Sequence, residues 1–368
     1  MASSAWPIQV IGRCYFPLSP LPARVFSLLT VATCREVCTT AVRATTFWEK
    51  GKTAMSIIKV SDLAYCRLQV PDLEKAEQFL VDFGLIPTTQ EQGRRYLRAT
   101  DPGSYCYVLE EGPAHFLGFA FHAKSRADLE TLASRMNRPI EAIAAPGGGS
   151  RVRLKEPNGY DVDVVFGIAP APQIEIPRQV QNTGAQPLQR AGELFRLKRG
   201  QPTPVKRLAH VVMGSPVARA TTDWFQETLG TISSDEIVAG PNKTFIGSFM
   251  RIDNGDEYVD HHAVFLVATP VAGLQHISFE VPDVDAVMAD HYYLKGLGRY
   301  EHLWGVGRHL LGSQIFDYWA DPFGYFHEHW ADSDRLNAST PTNIWDASDS
   351  MITQWGDDTP EHFKKVRP

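Results

Sequence analysis

From residue 61 onward the chain repeats one arrangement of apolar and polar positions. DLAYCRLQV (62–70) reads as a strand. After Pro71 and Asp72, Leu73, Ala76, Phe79, Leu80 and Phe83 recur at helical spacing until Gly84 closes the helix. Two short alternating segments follow, RRYLRAT (94–100) and SYCYVLE (104–110), parted by Asp101-Pro102-Gly103, whose residues favour a turn. A second unit opens with FLGFAF (116–121), continues in a helix predicted over Arg126–Met136, and ends in RVRLKEPNGYDVDVVFG (151–167), a hairpin turning at Pro157-Asn158-Gly159. Each unit is therefore a strand, a helix, then short strands.

Residues 168–206 break the pattern. Pro170, Pro172, Pro177, Pro187, Pro202 and Pro204 preclude a regular sheet, so this segment reads as a linker. The same order then restarts. RLAHVVMGSPVARATTDWFQETLG (207–230) matches the first unit, GLQHISFEVPDVDAVMADHYYLKGLG (273–298) the second, and DPFGYFHEHW (321–330) echoes EPNGYDVDVV (156–165). Four copies of about 50 residues imply a duplicated pair, each pair closing its strands round a shared cavity. The expected class is α+β in two domains. Its parts are an extension at 1–54, an N-terminal domain without metal at 55–167, the linker at 168–206, a C-terminal catalytic metal domain at 207–334 and a tail at 335–368. With the halves overlaid, His210 falls opposite Tyr65, His276 opposite Gly118 and Glu328 opposite Asp163. The first half lacks the histidine pair, so a metal on this scaffold belongs to the second.

Composition narrows the picture. A chain of 368 residues, 43% hydrophobic and 21% charged, suits about two globular domains. A net charge of -6 and a pI near 6.1 give no basic field, which argues against nucleic acid as a partner. Cys14, Cys34, Cys38, Cys66 and Cys106 are odd in number and form no CxxC, which favours a reducing compartment, the cytoplasm, over a zinc-thiolate site. The longest apolar run, around Val25 to Cys34, falls short of the roughly 20 residues a bilayer requires, so no membrane span is expected. The first 54 residues carry six basic and two acidic residues. That composition fits a mitochondrial transit peptide, and equally translation begun upstream of a true start at Met55.

Chemistry gathers in the second half, where nine of the twelve histidines lie between 210 and 329. A lone strand histidine is ordinarily a core or surface residue; His210, His276 and Glu328 at matching positions in separate repeats argue instead for a common meeting point. Two imidazoles and one carboxylate on one face of a metal leave positions open for substrate and dioxygen at Fe(II). Strand alternation points Glu328 with Phe326 and Trp330, and sends His327 and His329 the other way. Those two, with His291 and His302, are expected at the surface or in support of the site. His261, His262, His309 and Tyr318 stand between structural and chemical roles. The aromatic run Phe316, Tyr318, Trp319, Phe323, Tyr325 and Phe326 suits a core and a pocket for an aromatic ring alike.

RLAHVV, HHAVFLVATPVAGLQHISFEV and WGVGRHLLGSQIFDYWADPFGYFHEHW resemble the C-terminal domain of the type I extradiol ring-cleaving dioxygenases, the vicinal-oxygen-chelate catechol 2,3-dioxygenases and 2,3-dihydroxybiphenyl 1,2-dioxygenases. The resemblance spans about Ser56 to Asp334, with its specific motifs within 207–330. It implies four βαβββ modules, two to a domain, forming open barrels. It also implies Fe(II), less often Mn(II), in the C-terminal domain only, and a catecholic substrate cleaved with O2. His210, His276 and Glu328 match the family's ligand motifs, and His262 its acid-base histidine. His309 and Tyr318 match a pair beside the substrate hydroxyls. Where many relatives have an Asp three residues after the GRH histidine, this chain has Gly312. Oligomeric state stays open, a homo-oligomer included.

Three other readings stand beside this one: a 4-hydroxyphenylpyruvate dioxygenase-like oxygenase, a glyoxalase or epimerase, and a non-catalytic binding protein of the bleomycin-resistance type. The polar tail after Asp334 lacks an apolar gating helix, against the first. Isomerases on this scaffold usually fill more metal positions with protein groups, against the second. His262, His309 and Tyr318 beside the ligands speak against the third.

Overall fold

The computed structural model describes residues 55–368 apart from 92, 177–179, 195–198 and 351; the expectations for the extension 1–54 lie outside the described residues. Local chemistry sets the first unit. Strand β1 (Val60–Val70) delivers the chain to Asp72, whose side chain accepts from the Lys75 amide and starts helix α1 (Leu73–Asp82). Leu73, Ala76, Phe79 and Leu80 bury the helix on the sheet, and Gly84, at φ +95°, turns the chain away. Helix α2 (Arg126–Met136) has the predicted bounds, with Ser125 accepting from the Asp128 amide at one end and Asn137 left-handed at the other.

Eight strands make the first sheet. After β1 come β2 (Ile86–Glu91), β3 (Arg94–Arg98), β4 (Tyr107–Glu111), β5 (His115–Ala123), β6 (Glu141–Ala142), β7 (Ser150–Lys155) and β8 (Asp161–Phe166). Their spatial order is β2-β3-β4-β1-β5-β8-β7-β6. The second half begins with β9 (Arg207–Ser215), α3 (Ala218–Leu229), β10 (Ile232–Ala239), β11 (Thr244–Arg251), β12 (Val259–Asp260) and β13 (Val264–Ala268). It continues through β14 (Gly273–Glu280), α4 (Val284–Leu297), β15 (Glu301–His309), β16 (Ile315–Ala320) and β17 (Phe326–Ala331). The central order β10-β11-β13-β9-β14-β17-β16-β15 repeats that of the first sheet strand for strand. Among the described residues, 168–206 contain no helix or strand.

The register reproduces the internal correspondence read from the sequence. In the second sheet His210 pairs with Ser278 and Ser278 with Glu328; in the first, Tyr65 pairs with Ala120 and Ala120 with Asp163. The two rows end differently. Asp163, wholly buried, accepts both Arg153 Nε at 2.7 Å and Arg153 Nη2 at 2.9 Å, and also the Tyr65 hydroxyl at 2.8 Å. A guanidinium thus neutralises the carboxylate in the half that lacks the histidine pair.

One hydrophobic core runs through both sheets and takes in Phe79, Phe83, Phe119, Phe225 and Phe279. His327 and His329, expected at the surface or near the site, are fully buried against this core. His327 Nε2 lies 3.0 Å from the Tyr107 hydroxyl. The His329 ring stacks on Phe83 at 3.6 Å, and its Nε2 donates to the Phe83 carbonyl at 2.8 Å. The face of β17 opposite Glu328 is therefore spent on joining the halves.

The segment expected as a polar tail adds two strands to the second sheet and one to a separate two-stranded sheet. β18 (Arg335–Leu336) pairs with β12, β19 (Asn343–Asp346) adds to the β10 edge, and β20 (Thr353–Trp355) adds to β15. Between β19 and β20 a single helical turn, α5, spans Ala347–Ser350. A 3-10 turn follows at Glu361–Lys364, with Phe363 buried. No helix among the described residues is long and apolar enough to cross a membrane.

Arg153→Met strands the buried Asp163 carboxylate, with Arg151 still 3.7 Å away. Denaturant unfolding should show a loss of about 3 kcal/mol.

Candidate metal centre and active site

Three neighbouring strands deliver the candidate ligands to one spot. His210 sits mid-strand on β9, His276 on β14 and Glu328 on β17, all buried and on the concave face. Glu328 Oε2 lies 2.9 Å from His210 Nε2 and 3.5 Å from His276 Nε2, and the two imidazole nitrogens are 3.3 Å apart. Ser278 Oγ donates to the same carboxylate oxygen. Burial opposes charge on Glu328, yet His210, His276 and His309 hold its carboxyl well below the usual range; burial also pulls the His210 imidazole down. The expected state is an ionised carboxylate facing a neutral His210 ring.

This donor set fits a metal ion. His276 Nδ1 donates to Gln275 Oε1, and Gln275 Nε2 in turn donates to the Phe363 carbonyl at 2.6 Å, which leaves His276 Nε2 with its lone pair toward Glu328. Two further atoms, His210 Nδ1 and Glu328 Oε1, are buried with no hydrogen-bond partner. A carboxylate and imidazole lone pairs converging within 4.8 Å repel one another unless a cation lies among them. Two histidines and one glutamate suit a divalent transition ion with open coordination positions.

Beside the ligands, His262 follows a chain of buried groups. Its ring lies 4.1 Å from that of His210, and its Nδ1 is 3.1 Å from His261 Nδ1; His261 Nε2 is 2.7 Å from Asp235 Oδ2. Burial works against charge on Asp235, but His261, Asn343 and Trp345 hold the carboxyl below its usual range. The carboxylate accepts the Nε2–H of His261, and in the tautomer with hydrogen on Nε2 alone His261 presents a lone pair at Nδ1. His262 must donate from its own Nδ1, so its lone pair lies at Nε2. Burial, and then His210 and His261, push the His262 imidazole well below its ordinary value, so it rests neutral.

On the other flank, His309 Nε2 is 2.9 Å from the Tyr318 hydroxyl and 3.6 Å from Glu328 Oε1. Burial and the Glu328 charge raise the Tyr318 phenol well above its ordinary value, so it keeps its proton; burial lowers His309. Gly312 lies against the relay: a Cβ there would meet His261 Nδ1 at 3.0 Å, and its φ is +78°. An aspartate side chain at this position would crowd the imidazole.

Five of the six sequence candidates, His210, His262, His276, His309 and Tyr318, line one cavity of about 290 Å³, and Glu328 contacts it through His210, His276 and His309. Most of the remaining wall is apolar, with Val212, Ile237, Ile246, Phe249, Phe265, Trp304 and Leu311, and Thr269, Gln275, Gln314, Ser350 and Lys364 add polar groups. Ala347, Ile352 and Phe363 close it from the C-terminal segment, which the sequence reading set aside. Asp235 was also missed. Trp345, whose Nε1 donates to Asp235 Oδ1 at 3.0 Å, and the scattered Ile344, Ile352 and Phe363 were the only sign that a polar stretch packs on the site.

No family model matches the chain. Metapyrocatechase 2 of Cupriavidus necator is 30% identical over 310 residues, covering 83% of this chain and 91% of the relative. Homoprotocatechuate 2,3-dioxygenase from Arthrobacter globiformis superposes with a TM-score of 0.68 at 20% identity, covering 85% of this chain and 93% of the other. The Mn(II)-bound glyoxalase from Novosphingobium aromaticivorans does so with 0.69 at 21%, covering 84% and 95%. At such identities the two structures speak for the shared fold. The sequence relationship speaks for more: with metapyrocatechase 2 matched along nearly its whole length, the chain belongs to the extradiol ring-cleaving dioxygenases of the vicinal oxygen chelate superfamily.

Proposed function

We propose that this dioxygenase cleaves a catechol carrying an apolar substituent, at an Fe(II) ion held by His210, His276 and Glu328. One observation carries the reading: a two-histidine, one-carboxylate cluster opens on an apolar cavity whose rim holds one lone-pair imidazole and one protonated phenol. Mn(II) suits the same donors. When bound, the ion would supply a redox-active Lewis acid that gathers the catecholate and dioxygen.

The protein groups divide the remaining work. His262, neutral with its lone pair at Nε2, takes a proton from a substrate hydroxyl and returns it later to a developing oxygen anion. Tyr318 donates its hydroxyl hydrogen to His309 at rest and to a substrate oxygen when one arrives, with His309 steadying the charge that develops there. Asp235 and His261 act at a distance by fixing which His262 nitrogen is free. The apolar walls exclude water and orient the ring. Both atoms of O2 enter the product as the C–C bond beside the hydroxyl pair breaks, so no external reductant is required. The apolar side chains that dominate the lining set a substituent preference, and Lys364, which also borders the cavity, is already paired with Glu361 at 2.7 Å.

Anaerobically Fe(II)-loaded protein mixed with alkyl- or aryl-substituted catechols and O2 should form a yellow ring-fission product with one O2 consumed per ring. A catechol panel without O2 uptake sinks the proposal. Glu328→Gln should abolish iron retention, whereas His262→Ala should keep iron and lose kcat by about 100-fold or more. Equal iron loss in both variants contradicts the assigned roles.

Asp235→Asn disturbs only the tautomer chain. It should retain iron and lower kcat about 10- to 100-fold with little change in KM; unchanged kcat removes the relay from the mechanism.

A further inference from the structure

The second sheet has two faces, and its outer face carries a cluster that the ring-cleavage chemistry does not use. Asp317 precedes Tyr318 on β16; as Tyr318 points into the cavity, Asp317 points away from it, under helix α4. There it meets His291 from α4 and His302 from β15. His302 Nε2 is 2.8 Å from Asp317 Oδ1, and His291 Nδ1 is 3.1 Å from the same oxygen and 3.2 Å from Oδ2. The two imidazole rings stand 4.8 Å apart and edge to face.

We propose that His291, His302 and Asp317 form a second cation site, selective for a divalent ion of the zinc class, which clips helix α4 to strands β15 and β16. Three lines of geometry support it. The three ligand atoms all lie within 4.8 Å of one another, as do those of His210, His276 and Glu328. Their contacts to Asp317 are close to the roughly 3.3 Å that separates ligand atoms round a tetrahedral ion with bonds of about 2.0 Å. Two imidazoles and one carboxylate leave one vertex for water, and His302, with 31% of its side chain exposed, gives that vertex a route to solvent.

The surroundings are built for the carboxylate. Trp319 Nε1 donates to Asp317 Oδ2 at 2.6 Å, fixing the carboxylate plane and leaving Oδ1 to the two histidines. Gly305 makes room: a Cβ there would meet Asp317 Oδ1 at 2.8 Å. Asp290, next to His291 on α4, is buried with Oδ2 lacking any partner, its other oxygen accepting from the Thr203 amide at 2.7 Å. The proposal is independent of the reaction assigned to the inner face.

The alternative is a plain hydrogen-bonded His-Asp-His network without an ion, and titration of the metal-depleted full chain with Zn(II) and Co(II) separates the two. The wild type should bind two equivalents. His302→Ala and His302→Gln should each bind one, retaining the far-ultraviolet circular dichroism of the parent, and Glu328→Gln should bind one. With Co(II), the intense visible bands of a four-coordinate ion should persist in Glu328→Gln and vanish in both His302 variants. Zn(II) should also raise the Tm of Glu328→Gln but not that of Glu328→Gln combined with His302→Ala. One equivalent in the wild type, or a second equivalent and Co(II) bands that survive loss of His302, overturns the site.

Discussion

Everything near the cavity follows from placing one ionised carboxylate, that of Glu328, in the interior of a sheet. A buried charge without partners is among the costliest features a fold can hold. The chain meets that cost by bringing Ser278, His210 and His276 to it from two adjacent strands. The same convergence makes a ligand set: groups that would only neutralise Glu328 also present lone pairs to a common point. Strand parity then settles the flanking residues. His327 and His329 cannot share the cavity, and they become the polar contacts through which β17 grips Tyr107 and Phe83 of the first half. Function on one face and cohesion on the other come from three consecutive residues.

The duplicated half shows that the fold does not itself demand a metal. Asp163 occupies the register position of Glu328, yet Tyr65 stands where His210 would be, and Arg153 supplies the positive charge. A guanidinium satisfies both carboxylate oxygens in one plane and leaves no open coordination position. The two solutions are electrostatically alike and chemically different: one pairs the carboxylate with a guanidinium, the other surrounds it with imidazoles.

What could be read from sequence was what has a period or repeats. Helix α2 appeared with its bounds because Ser125 and Asn137 cap an apolar pattern, and the ligand positions emerged because two copies could be overlaid. Residues whose importance lies in a long-range partner gave no such signal. Asp235 is an ordinary strand aspartate until His261 meets it across 26 residues of chain, and Trp345 reaches the same carboxylate from 110 residues away. His327 and His329 were misread for a related reason. Alternation tells which face a residue takes, and says nothing of whether another sheet covers that face. The C-terminal segment was read as a tail because its apolar residues are sparse, but an edge strand needs few when its backbone does the pairing.

The order of groups around His262 explains why so much of the second sheet's far edge is polar and buried. An imidazole that must accept a proton has to keep one chosen nitrogen free, and a ring held only by packing would populate both tautomers. Asp235 removes that freedom through His261, but a buried carboxylate can do so only if it stays ionised. Asn343 and Trp345 on β19 donate to its second oxygen, and that is what the added edge strand contributes. The C-terminal segment thereby reaches the cavity along two routes, through Phe363 and Gln275 to His276, the proposed ligand, and through Trp345, Asp235 and His261 to His262, the proposed base. Ligand orientation and base tautomer are thus tied to the docking of the same stretch of chain.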